Sequence, residues 1–255
     1  MNIVTRKEKK FIISIDNYYK FTNYISKILD EDSHNGHTGY TTRSLYFDSI
    51  NDRDFEEKET GVDIRRKIRL RVYNLDDNYA KLELKRTQGE NQIKQSIKIS
   101  RDDAISLINC QYNVLLKYND NLANECYGIM NMHLYRPKAI VEYKRKAFIA
   151  NENSIRITLD NNIFATESNY NLFEKNIPMY PVLDIDNVIL EVKYENFLLS
   201  YIKDILNFFD KSELSVSKYM LSRSISKNYS KRWSYERIYI YFIWTKWSFT
   251  NRSNN

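Results

Sequence analysis

Between Lys67 and Tyr73 the chain alternates strictly: Lys67, Arg69, Arg71 and Tyr73 share one parity, and Ile68, Leu70 and Val72 the other. Successive side chains of a β-strand point to opposite faces, so this strand has three cations crowded on one face and an unbroken apolar face behind them. An ordinary amphipathic sheet mixes acids and bases on its wet face. Here the cationic pattern recurs. Lys81, Glu83 and Lys85 oppose Leu82 and Leu84, and Arg156, Thr158 and Asp160 alternate with Ile155, Ile157 and Leu159. Glu191 and Lys193 stand against Leu190 and Val192, Tyr143 accompanies Arg145, and Lys94 and Lys98 oppose Ile93, Ile97 and Ile99. For any single strand a solvated outer face explains this. For all of them together, a closed sheet with the charged face inside, gathered around an anion, explains it better, because buried cations need a counter-charge. Guanidinium forks match phosphate oxygens and keep their charge at any working pH. The sparse carboxylates Glu8, Glu83 and Glu191 are then candidates for a hard divalent metal that bridges phosphate oxygens.

Period-two alternation marks strands at 3–13, 40–48, 64–74, 79–86, 92–100, 138–149, 154–160 and 187–194, about eight in all. Helical spacing predicts helices over 16–30, with Phe21, Tyr24, Ile25, Ile28 and Leu29 on one face, and over 195–209, with Leu198, Tyr201, Ile202, Ile205 and Phe209. A helix over 101–117 starts with a capping-box-like Ser100 and Asp103, and another follows Ser215. No βαβ alternation is visible. The expected fold is α+β, with a mainly antiparallel sheet of about eight strands and flanking helices. One domain spans 1–230. Residues 231–255 form an aromatic tail of unassigned role that holds all three tryptophans, Trp233, Trp244 and Trp247.

A net charge of +6 favours a polyanionic ligand without requiring one. Five glycines fall in no Gly-rich phosphate loop, so any phosphate must be held by side chains. His34, His37 and His133 are too few for a histidine metal centre, and His34 and His37 read as solvated loop residues. Cys110 and Cys126 form no CxxC pair, which excludes a disulfide framework and a thiolate zinc site and suits a reducing, cytoplasmic setting. The longest apolar run, Ile238 to Trp244, is far too short to span a bilayer, so no transmembrane segment is expected. Nucleic acid is disfavoured, because the 21 tyrosines are scattered and the basic residues alternate with strand-core aliphatics.

An ordered set of short motifs runs from about residue 3 to 225: Arg6-x-Glu-x-Lys10-Phe, Ser44-Leu-Tyr-Phe-Asp48, Lys58-x-x-Gly61, Arg66-Lys-Ile-Arg-Leu-Arg-x-Tyr73, Leu82-Glu-Leu-Lys85, Arg136-Pro-x-x-x-Val-x-Tyr-x-Arg145-x-Ala-Phe148, Arg156-Ile-Thr-Leu-Asp160, Leu190-Glu-Val-Lys193-Tyr and Ser215-x-Ser-Lys-Tyr219. In this order they resemble the VTC domain, the polyphosphate polymerase branch of the triphosphate tunnel metalloenzymes. The resemblance implies a closed antiparallel β-tunnel of about eight strands with flanking helices, whose basic wall binds ATP and inorganic polyphosphate and passes the γ-phosphoryl group to the chain end with Mn²⁺ or Mg²⁺. Carried over by motif position, it assigns catalytic roles to Arg69, Arg71, Lys85, Arg145, Arg156 and Lys218. It assigns substrate binding to Lys10, Lys58, Lys67, Tyr143, Lys193 and Ser217, and the metal to Glu191. A membrane-protein partner that receives the product is compatible with it. Plainer roles stand beside these: Lys10 and Arg6 as edge-strand charges, Glu191 neutralising Lys193 or Arg156, Lys218 solvated on a helix, Asp48 in a turn. Two other functions fit the same residues, a metal-dependent triphosphatase and a polyphosphate-binding module without turnover.

Overall fold

The alternating apolar parity drives the chain into strands that cannot bury both faces. A computed structural model describes residues 6–36, 38–89, 91–213 and 217–230. His37, Ser215 and the aromatic tail of 231–255 lie outside the described residues. The N-terminal half contains β1 (Arg6–Ser14), α1 (Ile15–Ile25), β2 (Asp30–Glu31), β3 (Tyr40–Asp48), α2 (Arg53–Glu59), β4 (Ile64–Val72), β5 (Tyr79–Gln88) and β6 (Asn91–Ser100). Then come α3 (Arg101–Ile108), a 3-10 turn (Tyr112–Tyr118), α4 (Asn121–Met132), β7 (Arg136–Ala150) and β8 (Ile155–Thr166). The chain continues through β9 (Tyr180–Pro181), β10 (Asn187–Glu195), α5 (Ser200–Phe208), β11 (Ser212–Glu213) and α6 (Lys218–Ser230). The eight predicted strands correspond to the eight long ones, β1, β3 to β8 and β10.

All pairings are antiparallel, in the order β11-β1-β10-β8-β7-β3-β4-β5-β6. The sheet curls until β6 comes into contact with β1. No backbone ladder joins these two strands among the described residues; a side chain of β5 reaches β1 instead, with Lys85 Nζ 3.2 Å from Glu8 Oε2. β6 has the composition of an edge, with Asn91, Gln92, Lys94, Gln95, Ser96 and Lys98, which discourages further pairing.

The apolar faces point outward and the helices cover them. Ile68, Leu70, Leu82 and Leu84 pack with Leu107, Leu115, Ala123 and Met130 from the α3–α4 segment. Ile157, Leu159, Leu190 and Val192 pack with Phe21, Ile25, Ile202 and Ile205 from α1 and α5. Each fully buried Leu or Ile contributes about 1.5–3 kcal/mol, so folding is driven from the outside of the barrel and leaves its polar interior free for other uses. The helices predicted over 16–30 and 195–209 are shorter, Ile15–Ile25 and Ser200–Phe208, so Ile28 falls past the end of α1 and is exposed, while Tyr24 and Tyr201 are exposed because α1 and α5 each turn a narrow stripe to the sheet.

The predicted helix over 101–117 is broken. Ser100 caps α3 as expected, accepting from the Asp103 amide at 3.2 Å, but the helix ends at Ile108 and Cys110 takes a positive φ of 62°. The turn lets Tyr112 and Leu115 enter the core, where an unbroken helix would carry them past it. Helices α2 and α4 were not foreseen, although Asp120 accepts from the amides of Leu122 and Ala123 as an ordinary N-cap.

Two glycines have distinct structural reasons. Gly61 ends α2 with φ +76° in open space, and Gly39 enters β3 with φ +87° where a Cβ would lie 2.3 Å from the Arg145 carbonyl oxygen. Gly61→Ala is therefore expected to cost about 1 kcal/mol, and Gly39→Ala about 2 kcal/mol or more, because only the second adds a backbone clash to the strained φ. Chemical denaturation of the two variants checks the ranking, and equal losses would contradict it.

Candidate phosphate-binding tunnel

Because the apolar parity faces the helices, the charged parity lines the interior, and cross-strand register stacks it into rings. Arg69 pairs with Glu83 on β5 and Tyr46 on β3, while Arg71 pairs with Lys81 and Ser44. Arg69 Nε donates to Glu83 Oε2 at 2.7 Å and its Nη1 to Tyr46 Oη at 3.0 Å. Arg71 Nε donates to Ser44 Oγ at 3.1 Å and its Nη2 to Tyr143 Oη at 3.3 Å. Lys94 adds a third cation, 2.6 Å from Glu83 Oε1. Burial alone would raise the Glu83 carboxyl, but Arg69, Arg71 and Lys94 together hold it well below the usual carboxylate range. Glu83 is thus tied up as a counter-ion, and of the three candidate carboxylates it is the one set apart from the other two.

A second ring centres on Asp160, which is fully buried. Arg145 grips it with Nε at 2.6 Å and Nη2 at 2.7 Å, and Lys218 Nζ lies 2.5 Å away. The Tyr143 ring sits between these cations, 4.6 Å from Lys218 Nζ and 5.2 Å from the Arg145 guanidinium. Burial opposes ionisation of the Tyr143 phenol, yet Arg145 and Arg71 bring its pKa below the ordinary value.

The third group lies where β1, β10 and β5 converge. Glu191 and Glu8 adjoin one another and are bathed in ammonium groups. Lys193 Nζ is 3.4 Å from Glu191 and 3.8 Å from Glu8, Lys10 contacts Glu8 and lies 3.8 Å from Glu191, and Arg145 Nη2 is 3.7 Å from Glu191. Burial would raise the Glu191 carboxyl, but Lys193, Lys10, Glu8 and Arg145 hold it far below the usual range. The partner foreseen as Lys193 or Arg156 is Lys193. Arg156 lies farther out, bound to Asp32 at 2.5 Å and to Tyr40 Oη at 3.2 Å.

Two adjoining buried carboxylates are the hard oxygen donors a divalent metal takes, with phosphate oxygens and water completing its shell. Glu8 and Glu191 therefore fit a metal that arrives with phosphate. No cluster of three or more His, Cys, Asp or Glu suited to a metal occurs among the described residues.

Helices α2 and α6 reach over one end of the tunnel. Asp48, at the end of β3, accepts the amides of Asp54 and Phe55 at 2.8 and 3.0 Å and so holds the first turn of α2; it also accepts Tyr219 Oη of α6 at 2.7 Å. This hub places Lys58 of α2 near Lys10, and Ser217 where Lys67 Nζ donates to its Oγ at 2.7 Å. Asp48 is a helix anchor, a more specific role than the turn residue suggested by the sequence. Asp160, Asp32, Tyr46 and Ser44 were not singled out as site residues, yet each binds one of the predicted cations. Asp160 at least stood on the polar face of its strand in the sequence pattern, and Ser44 and Tyr46 within a quoted motif. The two clefts on the outer surface, one of about 620 Å³ beside α2 and one of about 720 Å³ between α1 and α5, contain none of the predicted site residues.

An antiparallel sheet curled around a cationic interior, with its apolar face turned out to helices, defines a triphosphate tunnel protein. The chain belongs to the VTC domain family, which matches residues 5–227. No curated protein matches the chain. Among solved structures it is similar to a candidate adenylate cyclase of Bacillus halodurans, at 12% identity and TM-score 0.47 over 84% of this chain and 95% of that one. A candidate adenylate cyclase of Vibrio parahaemolyticus shows 13% identity and TM-score 0.43 over 79% and 86%. A protein of Pyrococcus horikoshii shows 10% identity and TM-score 0.42 over 86% and 99%.

The wall has a proton signature of its own. Burial, reinforced by Lys85, Lys10 and Lys58, lowers the Lys67 ammonium to about 7. Burial also lowers Lys85, to about 8, against the pull of Glu8 and with help from Lys10 and Lys193. A depressed lysine holds fewer protons folded than unfolded between these values and its ordinary pKa near 10.5, so the contribution of these two groups to stability rises with pH from about 7 to about 10. A polyanion reverses the effect by favouring the charged ammonium. Inorganic tripolyphosphate should then bind at pH 8 with uptake of about one proton, read by calorimetry in buffers of different ionisation enthalpy. Binding with no proton uptake would contradict the assignment.

Proposed function

We propose that this protein is an ATP-dependent polyphosphate polymerase that transfers the γ-phosphoryl group of ATP to an inorganic polyphosphate chain inside the tunnel. The observation that carries the reading is an interior whose carboxylates Glu83, Asp160, Glu8 and Glu191 are each shared among two or more Lys and Arg side chains, in groups spread along it rather than focused at one point. In the reaction the bond from the γ-phosphorus to the β,γ-bridging oxygen breaks. A bond forms from that phosphorus to a terminal oxygen of the acceptor chain, and ADP leaves. Arg69 and Arg71 orient neighbouring phosphates and meet the charge that develops between them, Arg145 and Lys218 neutralise the transferred group, and Lys10, Lys67 and Lys85 hold the rest of the chain. Mn²⁺ or Mg²⁺, when bound by Glu191 with Glu8, supplies further neutralisation of phosphate charge. No covalent nucleophile is needed.

The contribution of α2 and α6 favours polymerase over triphosphatase. Lys58, Ser217 and Lys218 extend the binding wall past the Arg69–Arg71 ring, which suits a second phosphate chain more than a water molecule. The cytoplasm, with a membrane-protein partner to take up the product, is the setting that fits this activity. Incubation of the protein with ATP and Mn²⁺ should give long polyphosphate and ADP. Orthophosphate as the sole phosphate product would instead identify a triphosphatase, and tripolyphosphate binding without turnover a binding module.

Arg69→Ala or Arg71→Ala should lower kcat/KM at least about tenfold, equivalent to ~1.4 kcal/mol of transition-state stabilisation. Lysine at either position should recover only part, since charge returns without the bidentate fork. The sequence pattern suggests that losing one cation would relieve repulsion and leave stability level or higher. The ion pair to buried Glu83 reverses that expectation: stability should fall. Combining Arg69→Ala with Glu83→Gln should restore thermal stability and not activity; recovery of both would make Arg69 a structural residue.

Glu191→Gln keeps shape and removes the charge that attracts a hard cation. Turnover should fall sharply and the dependence on Mn²⁺ concentration flatten while the folded state persists by circular dichroism. Unchanged activity at limiting Mn²⁺ would reassign Glu191 to pairing Lys193 and Lys10.

A further inference from the structure

The two ends of the tunnel differ in a way that phosphate chemistry alone does not require. At the Lys67 end of β4, Tyr219 stacks on Tyr46 with centroids 5.2 Å apart and planes 25° from parallel, and both rings are buried. At the other end, Tyr73 directly follows β4 and has 40% of its surface exposed. It meets Tyr40 edge-on at 6.0 Å, the Lys81 ammonium lies 5.1 Å from its ring centroid, and Arg156 Nη2 donates to Tyr40 Oη at 3.2 Å. This mouth therefore sets partly exposed tyrosine rings among cations. A phosphate chain has no surface that uses an aromatic face, whereas a nucleoside attached to a phosphate chain has one.

We propose that Tyr73 and Tyr40 form a nucleobase-stacking subsite at this mouth, and that the nucleotide enters with its base here and its phosphates directed inward toward Arg71. The inference rests on the reading that the tunnel holds the triphosphate of a nucleotide. Tyr73 lies two residues beyond Arg71, just past the end of β4, and Lys81, the cross-strand partner of Arg71, reaches its ring, which puts a base within reach of the ring when its phosphates lie on Arg71 and Arg69. Lys81 and Arg156 flank the rings and meet the phosphate nearest the ribose. Stacking reads a π-face and not a hydrogen-bonding edge, so the subsite accepts purine nucleotides broadly. The arrangement also gives the reaction a direction: the nucleoside diphosphate departs through the tyrosine mouth, and the acceptor chain occupies the end lined by Lys58, Lys67 and Ser217.

Equilibrium binding of β,γ-imido ATP and of inorganic tripolyphosphate to the intact protein tests this, with Tyr73→Ala and Tyr73→Phe as variants. Tyr73→Ala should weaken the nucleotide analogue about tenfold, or ~1.4 kcal/mol, and leave tripolyphosphate within about twofold, while Tyr73→Phe should retain both. The unchanged tripolyphosphate affinity doubles as proof that the variant is folded. Equal weakening of both ligands, or of neither, overturns the subsite. A wild-type protein that binds tripolyphosphate but not the analogue also overturns it and leaves the phosphate tunnel standing; one that binds neither overturns the tunnel reading and the subsite with it.

Discussion

Everything in this molecule depends on a sheet that turns its charged face inward. An interior lined by Arg69, Arg71, Arg145, Lys10, Lys67 and Lys85 would repel itself apart were it not threaded by buried carboxylates. Glu83 holds the first ring of cations, Asp160 the second, and Glu8 with Glu191 the third. Each carboxylate is shared between two or more basic groups, so compensation is incomplete. The residual cost shows in the depressed ammonium groups of Lys67 and Lys85, which burial and like charges push toward neutrality. Affinity for a polyanion is thus built in as the relief of an unfavourable electrostatic state, and it needs neither a glycine-rich loop nor a backbone anion nest.

Stability and binding are separated across the thickness of one sheet. The outward faces of β4, β5, β8 and β10 carry the apolar burial against α1, α3, α4 and α5. The inward faces carry a smaller share, a buried cluster of Tyr46, Val141, Tyr143 and Ile189 with Phe55 of α2 and Tyr219 of α6. Such a division leaves the interior free to hold charges at some energetic cost, because the helical shell supplies the surplus that offsets it.

Asp48 performs a connecting task out of proportion to its size. One carboxylate, fully buried, receives two amides from the first turn of α2 and the hydroxyl of Tyr219 on α6. Burial raises the Asp48 pKa, and these donors counter the rise, so the group is held in place by what it binds. Through it, β3 positions Lys58 on one helix and Ser217 and Lys218 on another. Elements that are 171 residues apart in the chain, Asp48 and Tyr219, become one assembly.

The strands, their polar parity and the ordered motifs of the VTC family were all legible in the sequence, since strand alternation and motif order are local properties. That legibility extended to the basic residues of the wall, because a cation on the wrong face of a strand stands out without any knowledge of its partner. The short helix α2 and the break after Ile108 were not legible, since about two turns of helix and one residue of positive φ leave little periodicity to read. Nor were the partners. Lys67 meets Ser217 across 150 residues and Lys85 meets Glu8 across 77. Asp160 was visible as a polar-face residue but not as the grip on Arg145 and Lys218. The sequence alone therefore determined which face of each strand is charged, because side chains alternate along a single strand. Only the tertiary structure decided which charges meet, because the curl of the sheet and the register between distant strands set those distances, and neither is a property of any one segment.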